Sequence, residues 1–442
     1  MATQPLEPMH NIPARGGIDF DELPFLAIWE VTQSCDLACK HCRAAAQPIP
    51  HPDELTHEEG KALIDQIADM QIPIFVFTGG DPLKRKDVFE LIRYAAGKGV
   101  HVAVTPSATP LLTREQIFKM KEAGVVRLGI SLDGSTPEIH DAFRGLQGAW
   151  ARTIQAIEWA GEAGIPIQVH TTISRHNAHD LDNLCNLFEK LAIVMWNVFF
   201  LVPVGRGQLD DLLSGEEFEQ VFGKIYELSR RANFQIKTTE AMHYRRYLLQ
   251  HNLEERKMGH GHGRPATAAA GTSSHSSVEH EVSGHDFSRA EKSLGKSEGG
   301  LAPVDEAGAP TSEAKTRNMS WATRRVNDGK GFVFISHMGN VYPSGFLPIH
   351  AGNVRETPLA EIYRNAPIFK ALRDTKRLEG KCGACEYKEI CGGSRARAYA
   401  LTGDPLAAEP CCIYQPKNWD ATREQTAEAF KHSTPTGTLV TL

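Results

Sequence analysis

The chain has 442 residues, with 48 Lys and Arg against 54 Asp and Glu and a formal net charge of −6. Mixed signs leave no basic face, so nucleic acid is unsupported as a main partner. The apolar share of 41% is enough for a sizeable core, and the length suits a barrel with an appended module better than one average domain.

No N-terminal stretch combines a basic end, an apolar core and a small-residue cleavage site, and the longest apolar run, 193–204, is too short to span a bilayer. A soluble, cytoplasmic protein without a membrane partner is expected. In that compartment thiols stay reduced, so nine cysteines point to metal binding or catalysis rather than disulfides.

Residues 1–24, rich in proline and polar side chains, read as an N-terminal arm. An apolar strand over 25–31 follows and runs directly into Cys35, Cys39 and Cys42. Residues 56–70 carry helical spacing through Leu63, Ile64, Ile67 and Met70. Further strands are predicted at 73–78, 101–105, 126–131, 166–173 and 193–202. Helices are predicted at 87–98, 114–123, 149–163, 181–191 and 216–231.

This alternation predicts an α/β fold, a partial (β/α)6 TIM-type barrel over 25–235, with its active site at the C-terminal ends of the strands. Residues 254–317 turn to Gly, Ser, His and charge and read as a disordered insertion. His260, His262, His275, His280 and His285 within it fit a solvated linker better than a metal site. From 320 to 425 a small, separate, cysteine-rich C-terminal module is expected, with a hairpin turn at His337 to Asn340.

Three cysteines at C-x3-C-x2-C spacing can hold three irons of a [4Fe-4S] cluster, and no neighbouring thiol supplies a fourth ligand. The open iron is then available to a small molecule such as S-adenosylmethionine (AdoMet). A zinc site is the alternative, but it lacks a fourth ligand at short spacing other than His41, wedged inside the motif. Gly79-Gly80-Asp81-Pro82 follows the second strand. Its glycines can expose backbone to a ligand, and its carboxylate can accept from an ammonium. A plain turn explains the same four residues.

Over roughly 25–205 these features resemble the radical SAM superfamily. The resemblance implies that Cys35, Cys39 and Cys42 hold the cluster, and that Gly79, Gly80 and Asp81 face the methionyl ammonium of AdoMet. Aspartate stands here in place of the family's usual glutamate. It places His41 where the family often has an aromatic residue beside the adenine, and it makes Ser107, Ser131, Thr172 and Arg206 candidate AdoMet contacts. For those four, strand-end capping is an equal alternative. Leu201 and Val202 are candidate backbone contacts to adenine. Cys185, on an apolar helix face, reads as a structural thiol.

Cys382, Cys385, Cys391 and the adjacent pair Cys411-Cys412 supply four ligands with one to spare. Four thiolates complete a cubane, and a four-cysteine zinc site is the alternative. With Gly392-Gly393-Ser394-Arg395 and Gly403-Asp404-Pro405, this segment resembles the C-terminal SPASM or twitch module of many radical SAM enzymes. Residues 320–381 lack cysteine, so one auxiliary [4Fe-4S] cluster is expected. By the family's terminal pattern Cys412 is its fourth ligand, with Cys411 as the alternative.

The resemblance implies reductive cleavage of AdoMet to a 5'-deoxyadenosyl radical that takes hydrogen from a substrate, with an electron donor such as flavodoxin or ferredoxin. Two substrate classes fit: a heme precursor or other small molecule, and a ribosomally made peptide. The 24 residues before the barrel are too few for a peptide-binding domain, which favours the first. A non-catalytic iron-sulfur or zinc protein for electron transfer or scaffolding is the reading from another class.

Overall fold

The computed structural model describes residues 18–257, 325–417 and 419. Most of the expected arm, and the expected insertion from 258 onward with its five histidines, lie outside the described residues. Seven strands, β1 (Leu26–Glu30), β2 (Ile74–Thr78), β3 (Val102–Val104), β4 (Val125–Ser131), β5 (Ile167–Ile173), β6 (Met195–Phe200) and β7 (Gln235–Thr239), lie side by side in chain order and all run parallel.

Helices α1 (His57–Asp69), α2 (Val88–Gly97), α3 (Arg114–Glu122), α4 (Pro137–Arg144), α5 (Ala149–Glu162), α6 (Leu181–Lys190), α7 (Gly215–Arg231) and α8 (Tyr244–Lys257) separate or follow them. Two of these starts are written in the sequence as capping boxes. Thr56 and Glu59 bond each other's backbone at α1, and Ser214 and Glu217 do so at α7. Each side chain satisfies an N–H that the first turn would otherwise leave bare.

Alternation along the strands sorts the two faces of the sheet. On β5, Ile167, Val169, Thr171 and Ile173 are buried, while Gln168, His170 and Thr172 point the other way and remain partly open. Ile167, Val169 and Ile173 pack with Leu63, Ile64 and Ile67 of α1 and with Trp29, Phe75 and Phe77 in one continuous core. Gly60 on α1 lets the helix approach closely, since a Cβ there would sit 2.8 Å from the Trp29 ring.

The sequence left two features unread. A seventh parallel strand follows β6; its residues Gln-Ile-Lys-Thr-Thr hold one apolar side chain and show no strand-like run. The C-terminal segment is also not separate from the barrel. Its strand β8 (Phe332–Ile335) pairs in parallel with β1, opposing Leu26 to Phe332 and Trp29 to Ile335. Antiparallel β9 (Asn340–Tyr342) and β10 (Gly352–Asn353) extend the sheet to ten strands in the order β10-β9-β8-β1-β2-β3-β4-β5-β6-β7. The turn between β8 and β9 falls at the expected place, with Gly339 at φ 81°.

Candidate functional site

The C-terminal ends of the strands open onto a cleft enclosing about 1180 Å³ of space, solvent at its mouth included. Cys35, Cys39, Cys42 and His41 line it, together with Gly79, Gly80, Ser107, Ser131 and Thr172 from successive strand ends. Residues expected to act together from their positions at one sheet edge therefore do meet.

The cysteine loop is held on several sides by backbone. Past the ends of β1 and β2 the ladder continues: Gly80 N donates to Thr32 O at 2.8 Å and Asp81 N to Ser34 O at 2.7 Å. This close approach is why glycine stands at 79 and 80. A Cβ at Gly79 would lie 2.5 Å from Thr32 O, and one at Gly80 would lie 2.4 Å from Ser34 O. On the far side, Gly205, at φ 59°, sits where a Cβ would meet Arg43 O at 2.3 Å and Cys42 O at 2.4 Å. Arg206 N donates to that Cys42 carbonyl at 2.9 Å.

Polar hydrogens are aimed at the sulfurs. Leu37 N donates to Cys35 Sγ at 3.4 Å, and Arg144 Nη1 donates to Cys39 Sγ at 3.7 Å. The Ser107 hydroxyl donates to Gly80 O at 2.7 Å and lies 3.5 Å from Cys35 Sγ. Arg144 is also paired with Asp133, whose side chain is fully buried. Burial would discharge Arg144, but the Asp133 carboxylate and Cys39 more than offset it and hold the guanidinium charged. Asp133 in turn accepts from Thr172 N at 2.7 Å, and its own N–H donates to His140 Nδ1 at 3.0 Å. Neither Arg144 nor His140 carries a local sequence signal; the fold delivers both from α4.

His41 stacks on Phe143 with centroids 4.3 Å apart and planes 13° apart. Its Nδ1 is buried without a partner, and burial, helped by Arg144 and Arg206, keeps the ring neutral. An unpaired buried nitrogen beside three thiols is an opening that a bound ligand would fill. His170 and Phe199, stacked at 5.4 Å, and Phe346 from the C-terminal segment complete the wall, and none of the three was expected from sequence.

Three expected contacts are placed differently. The Asp81 carboxylate is turned into the protein, where it accepts from Thr109 Oγ1 at 2.7 Å and Leu83 N at 3.2 Å, and the residue is fully buried. With one methylene less than glutamate it caps its own turn and does not line the cleft. Arg206 stands behind the lining, its Nε and Nη2 buried and unpartnered near His41. Leu201 O already accepts from Arg397 Nε at 3.3 Å, though Leu201 and Val202 both reach the cleft.

The second cysteine set forms a smaller cavity of about 420 Å³, lined by Cys382, Cys385, Cys391, Cys412 and His243 among others. Cys411 turns away, its thiol 3.8 Å from Leu213 O. Again N–H groups face sulfur: Glu409 N to Cys382 at 3.3 Å, Tyr387 N to Cys385 at 3.4 Å and Gly393 N to Cys391 at 3.3 Å. Burial pushes the free Cys385 and Cys412 thiols up to about 11, so metal binding there must displace protons. Cys185 is buried in the core, away from both cavities.

Both donor sets fit a polynuclear cluster, which needs thiolates spread around a cubane with N–H groups turned toward the sulfurs. Among the described residues no three His, Cys, Asp or Glu side chains gather closely enough to grip a single metal ion. No helix among the described residues is long and apolar enough to cross a membrane.

Comparison with known proteins agrees with this geometry. Residues 29–188 match the radical SAM superfamily and 327–386 match the SPASM iron-sulfur cluster-binding domain. The chain is 39% identical to an AdoMet-dependent heme synthase of Nitratidesulfovibrio vulgaris, over 89% of this chain and 93% of that one. It is 30% identical to an Fe-coproporphyrin III synthase of Methanosarcina barkeri, over 88% and 87%. A PqqA peptide cyclase of Bradyrhizobium diazoefficiens is more distant, at 24% over 89% and 87%. Among solved structures, Streptococcus suis SuiB bound to S-adenosylmethionine shares the fold with a TM-score of 0.59 at 14% identity, covering 89% of this chain and 78% of that one.

Proposed function

The chain belongs to the radical SAM superfamily, an enzyme whose cofactors are a [4Fe-4S] cluster, AdoMet and an auxiliary cluster, and from that premise we propose that it acts on a heme precursor, removing carboxyl groups from propionate side chains. The observation that carries this reading is the 39% identity to the heme synthase over 89% of this chain, against 24% for the peptide cyclase over the same share.

In this reading Cys35, Cys39 and Cys42 hold the first cluster, and Cys382, Cys385, Cys391 and Cys412 hold the auxiliary one. Bound there, these groups supply reductive cleavage of AdoMet, hydrogen abstraction and an acceptor for the electron that a decarboxylating substrate radical gives up. The protein's own part is placement. Gly79, Gly80, Ser107, Ser131, Thr172 and His41 surround AdoMet, with the Gly79-Gly80 backbone rather than the Asp81 carboxylate turned to it. Arg206, behind His41, acts through that ring.

Phe199 and Phe346 both line the cleft, their rings in tilted contact with centroids 6.2 Å and planes 51° apart. They give a flat macrocycle an apolar wall and keep water from the reacting carbon. A flavodoxin or ferredoxin supplies electrons in the cytoplasm.

Anaerobically reconstituted protein, given dithionite, AdoMet and an iron porphyrin bearing propionates, is expected to release 5'-deoxyadenosine and a porphyrin lighter by carboxyl groups in mass spectrometry. Release of 5'-deoxyadenosine with every iron porphyrin unchanged, while a peptide is modified, would overturn the proposal.

A further inference from the structure

His243 stands immediately before α8, fully buried, and lines the cavity of Cys382, Cys385, Cys391 and Cys412. Neither ring nitrogen has a hydrogen-bond partner. Buried side-chain nitrogens are rarely left so, because the protein loses water's hydrogen bonds without replacing them. Away from the cavity the ring meets Phe218 and Phe222, with centroids at 5.2 and 4.8 Å, which offer hydrocarbon.

The charged groups close by are already engaged. Both Glu409 carboxylate oxygens lie 3.2 Å from Arg397 Nη1, and they also accept from Ser394 N and Cys411 N. Arg246 is paired with Glu219 and donates to Gln250 at 2.8 Å. Among the described residues, the ring's remaining direction is the cavity itself.

We propose that His243 donates a ring N–H to a sulfur of the auxiliary cluster and raises that cluster's reduction potential. The inference rests on the reading of this cavity as a cluster site. Four thiolates already satisfy the four irons of a cubane, so the imidazole is left the sulfurs as acceptors rather than an iron. Three of the four cysteines receive backbone N–H groups in the same manner. Reduction adds negative charge that spreads onto the sulfurs, and an N–H dipole aimed at sulfur stabilises the reduced form more than the oxidised one. His243 thus acts directly on the auxiliary cluster and makes it a better electron acceptor.

The test uses the full chain with Cys35, Cys39 and Cys42 changed to alanine, so that the auxiliary cluster alone contributes signal. Iron content and an EPR-monitored potentiometric titration are measured for this background and for added His243→Phe and His243→Gln. Phe fills the space without a donor; Gln keeps an N–H. The midpoint is expected to fall in His243→Phe and to stay near the background value in His243→Gln. Pulsed EPR with 15N-histidine should show a weak coupling, typical of nitrogen outside the iron coordination sphere, that vanishes in both variants.

An unmoved midpoint in His243→Phe, an equal fall in both variants, or a coupling as large as that of iron-bound nitrogen would overturn the proposal. Absence of iron from the background protein itself, or iron retention after Cys382, Cys385, Cys391 and Cys412 are all changed to alanine, would instead remove the cluster reading on which it rests.

Discussion

Arg144 shows how much of the site depends on a residue that no local pattern marks. It lies 105 positions from Cys39 in the chain and reaches that thiol only because α4 ends beside the cysteine loop. Arg144→Met would strand the buried Asp133 carboxylate, a loss of about 3–5 kcal/mol. Anaerobic urea unfolding should show that loss, and restoring part of it with Asp133→Asn in the same chain would identify the lone charge as its cause. The cysteines themselves were legible in the sequence because ligation fixes residue type and spacing together. Gly79 and Gly80 were legible as important, and the structure adds a second reason to ligand exposure: the backbone of Thr32 to Ser34 leaves no room for a Cβ. Asp81 misleads because one methylene decides whether a carboxylate reaches the cleft or caps its own turn, and spacing does not encode that.

At the scale of elements, the end of β1 is tied to the turn after β8 by charge as well as by the sheet ladder. Glu30 accepts from Arg43 Nη2 at 2.6 Å and contacts His337 Nδ1 at 2.8 Å. Burial raises the Glu30 carboxyl, yet Arg43 and His337 outweigh it and hold it below its ordinary 4.5. The unfolded chain therefore binds this proton at a higher pH than the folded one. The stabilisation is complete above about pH 4.5 and is lost as pH falls through the folded value. Glu30→Gln should cost roughly 1–3 kcal/mol at pH 7, and the gap to the parent in urea midpoints should narrow at pH 4 and below. Helices with capping boxes, α1 and α7, were readable from sequence because their signal is local. β7 was not, since an edge strand with one apolar residue takes its order from the strand it pairs with.

For the whole molecule, the ten-stranded sheet makes the barrel and the C-terminal segment one folding unit. Removing residues 325 onward would expose the β1 edge and the core side chains against which Val333 and Ile335 pack. The truncated chain is expected to be insoluble, and its share in the soluble fraction after expression checks this; a soluble, monodisperse fragment would show that the barrel stands alone. Parallel pairing between such distant segments left no trace in the sequence, because hydrophobic pattern reports burial and not partner. It also sets a timetable for synthesis. Glu30 and His337 are 307 residues apart, so at about 5–20 residues per second the ribosome takes roughly 15–60 s to deliver the partner of β1. Through that interval the cysteine loop hangs from a strand with one open edge, and the first three thiols emerge long before β8 can seat them.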